Sequence, residues 1–316
     1  MKVLVTGGSG FIGSHLIKKI VKKEEIIIFD NGFRNDFYNI DEIKNEIQVI
    51  NGDISKKEDW EKIPKDVDVV FHLGAINGTK YFYEIPEKVL EVNVLGTFNF
   101  LKWLEKTNVK RFFFSSSSEV YGFPKKFPTS ENEPLMIPDP QNPRFSYSSS
   151  KIMGEIMVIN FAKKIGIDYT IGRFHNVYGP RMGFEHVIPE LIKKCNTSDK
   201  IIVQGDGNES RCFCYISDAI DAMTLCTKHV NGINEIFNIG NPRETKISEL
   251  LTIIEKIHKK PLLPIFKPFE NAGTKRRVPE LSKLKKLGYE PKISLEEGVE
   301  KTYNWCLERL KNLDEK

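Results

Sequence analysis

The chain has little of what a membrane or exported protein needs. Its longest apolar stretches, such as Ile26–Phe29, are far too short to cross a bilayer. The opening MKVLVTGGSG breaks its apolar run with glycines before a signal-peptide core can form, so no export signal is expected. Charge of one sign is also scarce. With 47 basic and 43 acidic residues, the net charge of +4 gives no reason to expect nucleic acid or a membrane as partner. The five cysteines are odd in number and scattered. Cys212 and Cys214 alternate with aromatics in CFCYI, as on one face of a strand, and no second Cys/His pair lies at zinc spacing. The expectation is reduced thiols in a cytoplasmic protein and no metal site. Internal repeats and low-complexity linkers are likewise missing.

What is present is ordinary soluble-protein composition, 40% hydrophobic and 28% charged, over 316 residues, enough for one large or two small domains. The first half alternates apolar runs (Val3–Val5, Ile26–Phe29, Gln48–Ile50, Val67–His72, Arg111–Ser115) with helical patterns over Phe11–Val21 and Glu87–Glu105. Such alternation predicts a Rossmann-type, doubly wound parallel sheet covered on both faces. A helix over Tyr147–Lys164 and a strand over Tyr169–Phe174 continue it. The remainder is less regular. A helix is expected over His186–Lys194 with a kink at Pro189, then strands over Ile201–Val203, Cys212–Ile216 and Ile236–Ile239. Ser217 and Ser248 read as helix N-caps, and Lys283–Leu287 and Leu295–Leu310 as helices. The expected organisation is α/β: a dinucleotide-binding domain over residues 1–175 and a smaller α/β substrate-binding subdomain over 176–316, some of whose segments return to the first sheet. The loop Phe123–Phe145, with six prolines, is expected to be a lid or binding loop.

Gly7-Gly8-Ser9-Gly10-Phe11-Ile12-Gly13 follows a strand and opens a helix. In that setting Gly7 permits a tight turn, Gly10 lets the backbone approach a pyrophosphate, and Gly13 allows close helix–sheet packing. The helix start at Phe11 and Ile12 offers unpaired N–H groups to phosphate. Asp30 ends the second strand, where a carboxylate accepts both adenosine ribose hydroxyls and repels a 2′-phosphate. NAD is therefore expected over NADP, with nearby Arg34 the one group able to compensate. Asn31, beside Asp30, and Asp53-Ile54, after the third strand, are expected to complete the adenosine side.

Tyr147 and Lys151 are four apart at the start of a helix, on one face. A phenol is a poor base at neutral pH, and a fixed ammonium beside it favours phenolate. Upstream, Phe114-Ser115-Ser116-Ser117-Ser118-Glu119-Val120-Tyr121-Gly122 reads as a strand running into a polar loop. Together with TGGSGFIGSHL, these segments resemble the extended short-chain dehydrogenases/reductases that act on nucleotide sugars, over essentially the whole chain. The resemblance implies Ser117 as the catalytic hydroxyl, Tyr147 as base, and Lys151 as the group that binds nicotinamide ribose and lowers the Tyr147 pKa. It implies that Leu73, Gly74 and Ala75, in HLGA, line NAD along with Ser115, and that Asn93 supports the serine region beside the cofactor. In RFHNVYGP it makes Asn176 a sugar or phosphate contact, with Val187 beyond it. It makes Arg211, Arg276 and Arg277 candidates for the diphosphate, to which guanidinium groups are suited. The implied partner is a nucleotide-diphosphate sugar. The implied assembly is a homodimer built on the helices over Glu87–Glu105 and Tyr147–Lys164.

The shared first step is oxidation of a ring carbon, C4 in most of the family. Glu119 then stands where dehydratases and glucuronate decarboxylases of the family carry a glutamate. RFHNVYGP is also similar to the GDP-mannose 3,5-epimerases, whose acid/base positions correspond to Glu119 and His186. Epimerisation leads, since it needs only Ser117, Tyr147, Lys151 and NAD. The alternatives are 4,6-dehydration or decarboxylation through Glu119, net oxidation, and a dinucleotide-binding sensor without turnover.

Overall fold

A computed structural model describes residues 1–35, 37–198, 200–268 and 274–314. The apolar runs become strands because they are buried on both faces. β1 (Lys2–Thr6) has Val3, Leu4 and Val5 at 2% exposure or less. It is followed by α1 (Phe11–Ile20), β2 (Glu25–Asp30), β3 (Gln48–Asn51) and β4 (Val69–His72). Next come α2 (Thr79–Glu84), α3 (Pro86–Leu90), a π-turn over Glu91–Leu95, and α4 (Gly96–Leu104). The single helix expected over Glu87–Glu105 thus contains a wide turn, and buried Asn93 sits in it. β5 (Arg111–Ser117), α5 (Ser146–Ile165) and β6 (Asp168–Phe174) complete the first part. Gly166 closes α5 in the left-handed conformation at φ +70°, which glycine adopts freely.

β7 (Val177–Tyr178), α6 (Val187–Thr197), β8 (Lys200–Gln204), β9 (Ser210–Arg211), β10 (Cys214–Tyr215) and α7 (Ile216–Lys228) come next. Then β11 (Glu235–Ile239), β12 (Thr245–Lys246), α8 (Ile247–His258), β13 (Leu263–Lys267), β14 (Arg276–Arg277), α9 (Ser282–Lys285) and α10 (Leu295–Asp314) finish the described chain. Three local expectations are corrected. Tyr215 and Lys246, both extended, occupy the N-cap positions of α7 and α8, because β10 and β12 run straight into those helices; Ser217 and Ser248 lie inside the first turns. The strand expected over Cys212–Ile216 shrinks to β10. Pro189 falls in the first turn of α6, where its missing N–H breaks no helical bond.

The main sheet has seven parallel strands in the order β11-β6-β5-β4-β1-β2-β3. One apolar layer packs α4 and α5 on the sheet through Phe100, Trp103, Phe112 and Val158. The other face meets α1, α7 and the C-terminal elements through Leu16, Ile17, Ile220 and Met223. After β3 the chain crosses to the far side of β1 and lays down β4. At such a reversal, loops diverge and a crevice opens beyond the carboxyl ends of the strands. The C-terminal part adds small sheets β7–β10, β9–β12–β14 and β8–β13, of which β7 and β9 reach the crevice. No described helix is long and apolar enough to cross a membrane.

Candidate active site

A cleft of about 450 Å³ lies where the strand ends predict it. Its floor is the β1–α1 turn. Gly7 has φ +68°, and a Cβ there would stand 2.7 Å from Gly74 Cα; a Cβ on Gly13 would stand 2.3 Å from the Gly7 carbonyl oxygen. Side chains are excluded at both points, so bare backbone forms the wall. Gly10 precedes α1 without any side-chain cap, leaving the first N–H groups of the helix available to an anion. Gly7, Gly10, Phe11, Ile12 and Gly13 all line the cleft, as do Asp30, Asn31, Asp53, Ile54, Leu73, Gly74, Ala75 and Ser115.

The Asp30 carboxylate accepts from the Ser9 N–H (3.0 Å) and the Gly32 N–H (2.9 Å), which fixes it against the glycine turn with lone pairs to spare. Asn31 accepts from the Phe33 N–H (3.1 Å). Asp53 accepts from the Ser55 N–H (2.9 Å) and hydroxyl (2.7 Å) in a local turn on the cleft wall. Arg34 does not approach Asp30 to compensate for it. Its guanidinium donates to the Asn77 carbonyl and lies 5.4 Å from the centre of the Tyr81 ring. The turn, its free N–H groups and Asp30 fit a dinucleotide without a 2′-phosphate, which supplies a hydride acceptor when bound. Asn93 is buried behind this stretch at 3% exposure. It lies off the cleft wall, accepting from the Ile76 N–H (2.8 Å) and donating to the Ile76 carbonyl (3.2 Å) and Ser150 Oγ (3.0 Å). It ties the loop after β4 to the catalytic helix.

Ser117, Tyr147 and Lys151 meet at the next stretch of wall. Tyr147 is stacked on Phe82, 5.0 Å between centroids. Lys151 is 4% exposed and donates to the Ser115 carbonyl at 2.8 Å, with its Nζ 5.8 Å from the Tyr147 ring centre. Burial draws the Lys151 pKa down to about 7, opposed by the Glu155 carboxylate. Burial pushes Tyr147 well above its ordinary value, opposed by the Ser117 hydroxyl. Lys151 spends one of its three N–H donors on the Ser115 carbonyl and keeps two for other partners.

Across the cleft stand Asn176, His186, Val187 and Arg211. Asn176 is left-handed at φ +40° and its buried Nδ2 has no partner, a donor set aside for something else. His186 precedes α6, and burial, followed by Arg34, lowers its pKa to about 4, leaving a neutral imidazole near pH 7. Arg211 donates to the Ser210 (2.8 Å) and Thr274 (2.7 Å) carbonyls. Burial and Arg277 lower its pKa to about 10, so it stays cationic at neutral pH.

Glu119 also lines the cleft, with its N–H donating to Ser117 Oγ at 3.2 Å. Arg277 lies 3.0 Å from its carboxylate and also donates to Ser118 Oγ (3.0 Å) and Thr274 Oγ1 (2.9 Å); Arg144 lies 4.0 Å from the same carboxylate. Burial works against ionising Glu119, but Arg277, then Arg144 and Arg211, outweigh it and hold the pKa below the usual carboxylate value. Arg276 is not brought to the site. It forks onto Glu244 (2.7 and 2.8 Å) and covers Phe127. Neighbours on a strand face opposite ways; Arg277 turns into the interior and sits behind the wall against Glu119 and Ser118. The residues that sequence reasoning missed are Arg144, Phe82 and Glu185 on the wall and Glu155 behind it. Arg144 stands three residues before Tyr147 and Glu155 four after Lys151, spacings that were visible.

A parallel sheet reversing at β1, a side-chain-free phosphate turn, and Ser117, Tyr147 and Lys151 on one wall define a dinucleotide-dependent enzyme of the extended short-chain dehydrogenase/reductase class. The chain matches the NAD-dependent epimerase/dehydratase family over residues 3–240, and it belongs to that family. A putative UDP-glucose 4-epimerase of Methanocaldococcus jannaschii is 36% identical, covering 96% of this chain and 97% of its own. A UDP-N-acetyl-α-D-glucosaminuronate decarboxylase of Bacillus cytotoxicus is 34% identical, covering 97% of this chain and 98% of its own. The crystal structure of a UDP-glucuronic acid 4-epimerase of Bacillus cereus with UDP-glucuronic acid and NAD superposes with a TM-score of 0.88 at 31% identity, covering 98% of this chain and all of that one.

Proposed function

We propose that the protein oxidises C4 of a UDP-linked hexuronic acid and lets the 4-ketone lose its C6 carboxylate as carbon dioxide. The observation that carries this reading is the Glu119–Arg277 pair at 3.0 Å. A carboxylate held ionised by guanidinium groups is a weak acceptor for a C5 proton and has no proton to give a departing C6 hydroxyl. That argues against 4,6-dehydration and against the role first expected of Glu119. Decarboxylation needs no C5 deprotonation. The 4-ketone makes C6 the carboxylate of a β-keto acid, and the C5–C6 electron pair moves into the carbonyl as carbon dioxide leaves. NAD, which Gly7, Gly10, Gly13 and Asp30 would hold, would supply hydride-transfer chemistry at C4. Tyr147 takes the C4 hydroxyl proton, Ser117 steadies that oxygen, and Lys151 orients the ribose side. Arg211 faces the diphosphate. Arg277 and Arg144 leave positive charge beside Glu119 for the C6 carboxylate.

The decarboxylase of Bacillus cytotoxicus and the UDP-glucuronic acid bound by the Bacillus cereus enzyme support a uronate substrate. A second reading, 4-epimerisation, is favoured by the relative at 36% identity and needs only Ser117, Tyr147 and Lys151. Incubation with NAD and either UDP-glucuronic acid, UDP-N-acetylglucosaminuronic acid or UDP-glucose, read by mass spectrometry, decides between them. Loss of carbon dioxide is expected from a uronate. Unchanged mass with a new chromatographic peak would replace decarboxylation by epimerisation, loss of water would restore dehydration, and loss of two hydrogens would mean net oxidation.

The reading includes a homodimer. Leu95 (48%) and Phe98 (41%) on one helix and Met153 (46%) and Ile156 (49%) on α5 leave large apolar side chains exposed, and Phe98 meets Phe161 of α5 edge-on at 5.8 Å. Two copies of this face would bury each other isologously. Light scattering is expected to give twice the chain mass for the native protein and a single chain mass for Phe98→Glu/Ile156→Glu. A native monomer at micromolar concentration would defeat the dimer.

A further inference from the structure

Behind Lys151 lies an ion pair that the cleft does not reach. Glu155, one turn along α5, is 2% exposed, and Arg173 of β6 is 3% exposed. They are joined by two bonds, Arg173 Nε to Glu155 Oε1 (2.9 Å) and Nη2 to Oε2 (2.7 Å), and Ser116 Oγ donates to Oε1 at 2.5 Å. Arg173 Nη1 also donates to the Tyr121 hydroxyl (2.9 Å) and the Glu131 carbonyl (2.9 Å). The Tyr121 hydroxyl donates to Asn238 Oδ1 (2.8 Å), and Asn238 Nδ2 donates to the carbonyls of Thr129 (3.0 Å) and Glu280 (3.1 Å). Apolar packing of the same volume is often as stable as a buried ion pair or more so, which makes stability a weak reason for this pair. Its attachments are informative. Ser116 stands between Ser115, whose carbonyl holds Lys151, and Ser117, whose oxygen holds the Glu119 N–H. Tyr121 lies two residues beyond Glu119 in the same turn.

We propose that Glu155 is a positioning residue for the hydride-transfer step. Gripped by Arg173 and Ser116, it locks the catalytic face of α5 to the carboxyl end of β5 and supports the ammonium form of Lys151. The groups facing Lys151 are Tyr147 and Glu155 on α5, the Phe114 ring and Ser115 carbonyl on β5, and His72 on β4. Arg173 of β6 stands behind Glu155, and Tyr121 behind Arg173. Of these, Glu155 is the carboxylate, and it opposes the burial that drives Lys151 toward its neutral form. Without it, Lys151 loses its proton at lower pH.

The proposal rests on the Ser117–Tyr147–Lys151 chemistry and not on the uronate, so any nucleotide sugar that the native enzyme oxidises serves as probe. The rate of NADH appearance is followed against pH with NAD at saturation. Glu155→Gln is expected to move the alkaline limb to lower pH by about one unit or more, with KM for the sugar nucleotide within about threefold of native. Glu155→Asp, which keeps the charge, is expected to return the limb toward its native position. Because Glu155→Gln strands a buried guanidinium, Glu155→Gln/Arg173→Met is measured alongside it, and the same shift is expected in that variant. A readout free of substrate is the stability difference between native and Glu155→Gln/Arg173→Met protein, which should widen as pH falls through about 7, where Lys151 becomes charged without its partner. A folded variant with a lower rate at every pH, an unmoved limb and a pH-independent stability difference would reduce Glu155 to a structural residue and overturn the proposal.

Discussion

Lys151→Met is expected to reduce turnover by about 10³-fold or more, and yet to melt at a higher temperature than the native protein. The first effect follows from losing the cation that orients the ribose side and accompanies Tyr147. The second follows from burial. Lys151 is 4% exposed, and its pKa falls from 10.5 to about 7 on folding. Between those values the unfolded chain binds more protons than the folded one, so Lys151 makes stability rise with pH across that window. Below it the cost of burying the ammonium is fully present; above it the cost is gone. Methionine removes the cost while filling the same space beside Phe114 and Tyr147. The gain in Tm, measured by calorimetry without added dinucleotide, should be largest near pH 6 and vanish near pH 10. A variant that melts lower than native at pH 6 would show that the Ser115 bond outweighs desolvation.

Arg277→Leu is expected to lower kcat/KM for the sugar nucleotide by about 10³-fold or more, while NAD affinity by titration calorimetry stays within about twofold. Arg277 is 5% exposed and bridges Glu119, Ser118 and Thr274, none of which the adenosine half of the cleft uses. Its loss leaves the Glu119 carboxylate without its nearest cation, and a stability loss of about 3 kcal/mol is expected from that alone. Arg276→Ala, one residue away, is the internal control and should change kcat/KM by less than about threefold, since its guanidinium serves Glu244 at the surface. Equal effects at the two positions would mean that the inward assignment of Arg277 is wrong.

These two arginines show where sequence reading stops. The glycine turn, Asp30 and the Tyr147/Lys151 spacing were legible because each is local: the chemistry needs those residue types within one turn or at one strand end. The sheet was legible for the same reason, since β1, β2, β4 and β5 are short apolar runs buried on both faces. Arg276 and Arg277 are equivalent as letters, and only the pairing of β14 with β9 decides which one faces inward. The partnership of Arg277 with Ser118 spans 159 residues, and no local pattern announces it. Asn93 binds the Ile76 backbone and the Ser150 hydroxyl, partners that an asparagine in a helix does not announce. Ser217 and Ser248 lie inside their helices rather than at the caps because a strand running directly into each helix leaves no loop residue for a serine to occupy.

The edge strand β11 carries a consequence for synthesis. It pairs with β6, yet more than fifty residues of chain lie between Phe174 and Glu235. A ribosome that has just released β6 has made six of the seven strands but not Asn238, which gathers Tyr121, His175 and the loop at Thr129. Until that asparagine emerges, and Glu280 after it, Arg173 and Glu155 sit beneath an open sheet edge. The nascent protein must therefore carry its catalytic wall half-finished through the making of most of its second part.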